Sequence, residues 1–171
     1  YAGAAGLVSL NTDTGIVRNS YSTANVIGLR GAGLGGLVVR NEGRIENSSA
    51  TGNVTSTTNA QYNGGLVSAN RATGVITNSY ATGNVIGGGT AGGLVGNNFL
   101  GGQITNSYAT GNVGINGVGS GAYNGGLVGA NRGSLSNVYS TGSVTGVLTN
   151  TANNGGLVGL NAGGTIVNAY A

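Results

Sequence analysis

The sequence predicts an all-β fold, a right-handed parallel β-solenoid of about six coils of roughly 30 residues each, and three observations predict it. Gly-Leu-Val recurs with its glycine at Gly6, Gly36, Gly65, Gly93, Gly126 and Gly156, in steps of 30, 29, 28, 33 and 30 residues. An asparagine stands five residues after that glycine every time, at Asn11, Asn41, Asn70, Asn98, Asn131 and Asn161. The apolar stretches between the Gly and Asn punctuation are only about four to six residues long, which is too short for helices and suits strands.

Each coil contributes three apolar ranks. The first is the leucine of the triplet: Leu7, Leu37, Leu66, Leu94, Leu127 and Leu157. The second is Val17, Ile45, Ile76, Ile104, Leu135 and Ile166, each two residues before another asparagine, at Asn19, Asn47, Asn78, Asn106, Asn137 and Asn168. The third closes the string NSYATGNV, complete at 78–85 and 106–113, and comprises Val26, Val54, Val85, Val113 and Val144. The whole chain, 1–171, is then one solenoid with coils at about 5–34, 35–63, 64–91, 92–124, 125–154 and 155–171.

Stacking these units brings equivalent residues about 4.8 Å apart in parallel, in-register sheets, so leucine lies on leucine and asparagine on asparagine. A buried asparagine ladder is satisfied when each amide donates to the next carbonyl or to turn backbone, and asparagine also tolerates the left-handed conformation that corners need. The glycine pairs 35–36, 64–65, 92–93, 125–126 and 155–156 read as tight corners. The variable stretches 27–34, 55–63, 86–91, 114–124 and 145–154 read as loops on one edge. Right-handedness follows from the usual crossover between parallel strands.

Composition narrows the function. The charged residues are Arg18, Arg30, Arg40, Arg44, Arg71 and Arg132 against Asp13, Glu42 and Glu46, too thinly spread to form a basic groove for nucleic acid. There is no cysteine, so neither disulfides nor thiolate metal sites are expected, and no apolar run approaches the length of a membrane span. A catalytic site needs a nucleophile or proton shuttle with a partner, and His, Cys and Lys are all absent. The sequence therefore predicts no enzyme, no cofactor and no metal. Solenoids that bind calcium place an aspartate in each repeat, and Asp13 is the only one in the chain. One enzymatic alternative is a carbohydrate-active β-helix using Glu42 and Glu46, although Arg40 and Arg44 beside them read as a surface ion cluster.

Two rows are candidate ligand faces. Tyr21, Tyr80, Tyr108, Tyr139 and Tyr170 hold one repeat position, broken at Ser49; the row is either a structural ladder or a platform for sugar rings or a partner's aromatics. Thr51 and Asn53, Thr82 and Asn84, Thr110 and Asn112, and Thr141 and Ser143 sit two apart and are expected on one strand face. If it points outward, this Thr/Asn face is either solvated or a surface for ice or a glycan.

The string GGLVG-x-N followed by G-x-I-x-NSYATGNV resembles the GLUG-motif repeats of bacterial cell-surface and secreted proteins, including filamentous-haemagglutinin-type adhesins and the non-catalytic region of IgA1-protease-like surface proteins. GGLVG-x-N is intact at 125–131 and 155–161; Ala5, Ala24, Ser49, Val138 and Phe99-Leu100 depart from the pattern. The resemblance implies an extracellular setting and a structural or adhesive role. Its expected partners are like subunits or further repeats end to end, host glycans, surface polysaccharide or ice. Because the chain opens at Tyr1-Ala2 and stops at Tyr170-Ala171, both within NSYA segments, it is also expected to be a segment of a longer protein.

Overall fold

The computed structural model describes residues 3–28, 33–114, 123–146 and 152–171. Arg30, Tyr1-Ala2 and parts of the variable stretches, at 29–32, 115–122 and 147–151, lie outside the described residues. The described chain is strand and corner without helix, wound as a parallel β-solenoid of three sheets with nine, six and nine strands. The six-stranded central sheet stacks Val8–Asn11, Val38–Asn41, Val67–Asn70, Val95–Asn98, Val128–Asn131 and Val158–Asn161. A tyrosine sheet follows in each coil, running for example through Gln103–Ala109, Ser134–Ser140 and Thr165–Tyr170. An outer sheet returns the chain to the next coil through strands such as Val54–Gly64 and Val85–Gly92.

Each apolar rank stacks on itself. Val38 pairs with Val67, Val67 with Val95, and Val95 with Val128. Leu37, Leu66 and Leu94 sit at the corner before these valines, each donating its N–H to the carbonyl of the leucine one coil on, at 2.9, 2.9 and 2.8 Å. Leu37, Leu66, Leu94 and Leu127 are fully buried, whereas Leu7, with a coil on one side only, is half exposed.

The cross-section departs from a simple three-sided coil. The central strands Val67–Asn70, Val95–Asn98 and Val128–Asn131 are buried at all four positions, hence on both faces. On one side their valines join the leucine rank, Ile45, Ile76, Ile104 and the alanines Ala50, Ala81 and Ala109 in the main core. On the other side the outer sheet folds back against them. Ser68 Oγ donates to the Tyr62 carbonyl at 2.9 Å, and a Cβ placed on Gly96 would lie 2.9 Å from the Asn63 nitrogen. The outer sheet encloses a second, smaller core of Val26, Leu34, Val54, Val85, Ala91 and Val113. The third rank of the sequence thus belongs to a separate lobe.

The glycine pair makes the fold-back possible. A Cβ on Gly64 would fall 1.9 Å from the Val67 carbonyl oxygen, and one on Gly65 would fall 2.0 Å from the Gly93 oxygen and 3.0 Å from the Ala81 Cβ. No other residue lets the backbones approach that closely. The second asparagine rank makes a different bend: Asn19, Asn47, Asn78, Asn106, Asn137 and Asn168 all have φ between 48° and 54°. This left-handed kink lets the tyrosine sheet turn in mid-strand, with Ile76 inward before it and Ala81 inward after it.

The expectation of loops between the closing valine and the next glycine pair is corrected for 55–63 and 86–91. Both stretches are paired strand, Val54–Gly64 against Val85–Gly92. The length difference is absorbed as bulges: Thr55 to Asn59 faces Ile86 to Gly88, and Asn59 to Tyr62 faces Gly88 to Thr90. The physical reason is that an unpaired stretch here would leave backbone groups without partners beside the second core.

Candidate functional site

Polar ladders hold the coils in register: three run through the central coils, and a fourth, exposed one has Asn168 Nδ2 donating to Asn137 Oδ1 at 3.1 Å and Asn137 Nδ2 to Asn106 Oδ1 at 3.0 Å. In the first, Asn11 Nδ2 donates to Asn41 Oδ1, Asn41 to Asn70, Asn70 to Asn98, Asn98 to Asn131 and Asn131 to Asn161, all at 2.8–2.9 Å. The second amide hydrogen goes to the corner carbonyl of the same coil, as from Asn70 to Gly74 at 3.1 Å. Each interior amide is thereby satisfied. In the second ladder the Ser48 N–H donates to Ser79 Oγ and the Ser79 N–H to Ser107 Oγ, both at 3.2 Å. Those hydroxyls donate in turn to the carbonyl two residues back, Thr77 for Ser79 and Thr105 for Ser107. Val138 ends this series with an apolar side chain that joins the main core. In the third, Asn84 N–H donates to Asn53 Oδ1 at 2.8 Å and Asn112 N–H to Asn84 Oδ1 at 2.9 Å.

Tyr21, Tyr80, Tyr108 and Tyr139 point away from the core, alternating with the buried Ser22, Ala81, Ala109 and Ser140. Tyr80, Tyr108, Tyr139 and Tyr170 stack with centroids 5.0, 4.8 and 5.0 Å apart and ring planes within 5° of parallel. Because each interior ring is covered on both faces by its neighbours, the stack offers solvent mainly ring edges. A sugar laid flat on the row, one of the two readings of the sequence, has no open face between Tyr108 and Tyr139. Burial, followed by the neighbouring Tyr139 and Tyr80, raises the Tyr108 hydroxyl above the ordinary tyrosine range.

The Thr/Asn row lies outward, but not on a strand as the sequence suggested. Thr51-Gly52-Asn53, Thr82-Gly83-Asn84, Thr110-Gly111-Asn112 and Thr141-Gly142-Ser143 form the corner between the tyrosine and outer sheets. A Cβ on Gly83 would meet the Gly52 oxygen of the preceding coil at 2.0 Å, so only glycine lets these corners stack this closely. The threonines nonetheless form a column of exposed side chains one coil apart. Asn53, Asn84 and Asn112 give their side-chain oxygens to the ladder.

A family model for the GLUG motif matches residues 31–55, 59–86 and 87–114, three successive units whose central strands pair in register. These are GLUG repeats. The same registers run back to Val8 and on through Val158, so the same stacking continues on either side of the matched units. No curated protein and no solved structure matches the chain.

Apart from Arg71 and Arg132, the charged residues of the chain fall within its first two coils. Glu46 accepts from Arg18 Nε at 2.8 Å and Arg44 Nε at 2.6 Å, and Glu42 accepts from Arg40. Arg44, and after it Arg18, holds the Glu46 carboxyl below the ordinary glutamate range. Glu42 and Glu46 therefore face arginines rather than each other. A cluster that sequence reasoning missed lies on the Asn-ladder corner: Arg71 lies over the Phe99 ring at 4.1 Å from its centroid, and Tyr62 meets the same ring edge-on at 5.9 Å. The one available signal was Phe99 standing where the repeat carries a polar residue. A shallow groove of about 310 Å³ runs beside it along Leu100, Gln103, Arg132, Ser134 and Thr165.

Proposed function

We propose that this GLUG module is the rigid shaft of an extracellular bacterial adhesin or self-assembling surface fibre. The observation that carries the reading is the axial pairing of the described strands: parallel from coil to coil in all three sheets, in register through the central and tyrosine sheets and bulged only between Val54–Gly64 and Val85–Gly92, with polar ladders at successive corners. Such a stack lengthens by about 4.8 Å per coil and bends little, because bending would stretch hydrogen bonds on one side of every step. Its partners are further repeats or like subunits end to end, and through a fibre's tip, host glycans or surface polysaccharide. The arginine-held Glu46 suits this non-enzymatic role, since a carboxylate kept ionised is a poor general acid. The test is immunolabelling of intact and lysed source cells with antibodies to the module, beside a strain lacking residues 1–171. Labelling of intact cells, with shorter fibres or lost attachment in the deletion strain, is the expected result. Labelling only after lysis would refute the extracellular assignment.

The exposed threonine column supports a second reading, an ice- or glycan-binding solenoid. Thermal hysteresis or glycan-array signal that vanishes on Thr82→Lys and Thr110→Lys would favour it over a passive shaft.

A further inference from the structure

The tyrosine ladder lacks one rung. Backbone register places Ser49 directly between Tyr21 and Tyr80, pairing with each. Tyr80 is stacked on its Tyr108 side, 5.0 Å away and 5° from parallel. Among the described residues Tyr21 stacks on no other ring, and it is 72% exposed. Two strand steps separate the Tyr21 and Tyr80 positions, roughly 9.6 Å, and the short, nearly buried Ser49 side chain forms the floor between them. The structure itself shows what such an interval holds: Tyr108 lies between Tyr80 and Tyr139 at 5.0 and 4.8 Å, parallel to both.

We infer that the Ser49 notch is a binding site for one planar aromatic ring of phenol size, inserted edge-on from solvent between the faces of Tyr21 and Tyr80. The ring takes the place of the missing tyrosine and meets an aromatic face on each side, at the spacing the rest of the ladder already uses. From Tyr80 to Tyr170 the rings cover one another's facing surfaces, so the notch is the interior point at which the ladder admits a guest. This inference does not depend on where the module is displayed.

The probe is 4-methylphenol, followed by ligand-detected saturation-transfer NMR and by titration of its ring resonances against the intact chain. Saturable binding to the parent is expected, lost in Ser49→Tyr, which fills the notch with the chain's own ring and melts no lower than the parent. Tyr21→Ala removes one wall and weakens binding about 3- to 10-fold; it decides the matter alone if Ser49→Tyr fails to fold. Absence of saturable binding, undiminished binding by Ser49→Tyr or Tyr21→Ala, or equal binding of methyl β-glucoside, whose ring is not planar, would each overturn the assignment.

Discussion

Substituting Asn98 by alanine isolates the buried asparagine ladder. Asn98 is fully buried; its Nδ2 donates to Asn131 Oδ1 at 2.8 Å, and its Oδ1 accepts from Asn70 Nδ2 at 2.9 Å. It also donates to the Gly102 carbonyl at 3.3 Å, but that carbonyl keeps the Ser134 N–H at 2.9 Å. Alanine therefore strands two buried groups, one N–H of Asn70 and the carbonyl of Asn131. At about 1–3 kcal/mol for each buried group left unpaired, the loss is about 2–6 kcal/mol. A fitting control is Asn106→Gly: Asn106 is exposed with φ of 50°, a conformation glycine adopts freely, and gives up only the solvent-exposed bond it accepts from Asn137 Nδ2 at 3.0 Å, so the change should cost under about 1 kcal/mol. Urea unfolding followed by far-ultraviolet circular dichroism and tyrosine fluorescence measures both, provided the two transitions coincide and the slope is unchanged. A loss under about 1 kcal/mol for Asn98→Ala, or equal losses for the two variants, would show that the ladder does not hold the coils.

Three further outcomes follow from the same geometry. Leu94→Asp places a carboxylate in a fully buried rank between Leu66 and Leu127 and should cost more than about 4 kcal/mol; a melting temperature equal to the parent's would put the rank on the wrong face. The depressed Glu46 carboxyl, held by Arg44 and then Arg18, stays ionised in the fold below the pH at which it protonates in the unfolded chain. Its contribution is thus present above the ordinary glutamate range and lost as pH falls through the lower folded value, and Glu46→Gln should flatten the acid limb of a stability-against-pH curve. Tyr108 has the opposite sense: its raised hydroxyl stays protonated in the fold while the unfolded chain begins to ionise. Stability should therefore drop as pH climbs through the ordinary tyrosine range, and Tyr108→Phe should reduce that drop; an alkaline titration at 295 nm with all tyrosines ionising together would contradict the assignment.

The period, the parallel in-register stacking and the leucine ranks were legible because each depends on residue identity at fixed spacing. The division of labour between the two asparagine ranks was not. Asn70 and Asn78 are alike as letters, yet one supplies a buried amide and the other a backbone kink, and context separates them only once the strand path is known. The fold-back at the glycine pair was hidden for a similar reason, since Gly64-Gly65 announces a tight corner without its angle. A usable clue lay one residue past each valine, where Val39, Ser68, Gly96 and Gly129 are small or apolar, an unusual set for a face open to water. The strand at 54–58, Val-Thr-Ser-Thr-Thr, carried β-branched residues that favour pairing, but its variable length outweighed them in the reading.

The ladders also indicate where recognition can vary. Asparagine, serine and glycine are repeated because they hold the register from coil to coil, so changing them changes the fold before it changes a surface. The residue after each ladder asparagine has no such duty. Glu42, Arg71, Phe99, Arg132 and Ala162 occupy that place in successive coils, and each donates the same backbone hydrogen bond to the asparagine carbonyl of the preceding coil, at 2.8–2.9 Å. An acid, two arginines, an aromatic ring and an alanine are accommodated without altering that bond. A module built this way can present a different sequence of chemistries along one corner while its frame stays constant. In a longer array, specificity for a partner is therefore expected to follow this corner column, and replacing Arg71 and Phe99 together by alanine should alter what the surface binds far more than how the coils stack.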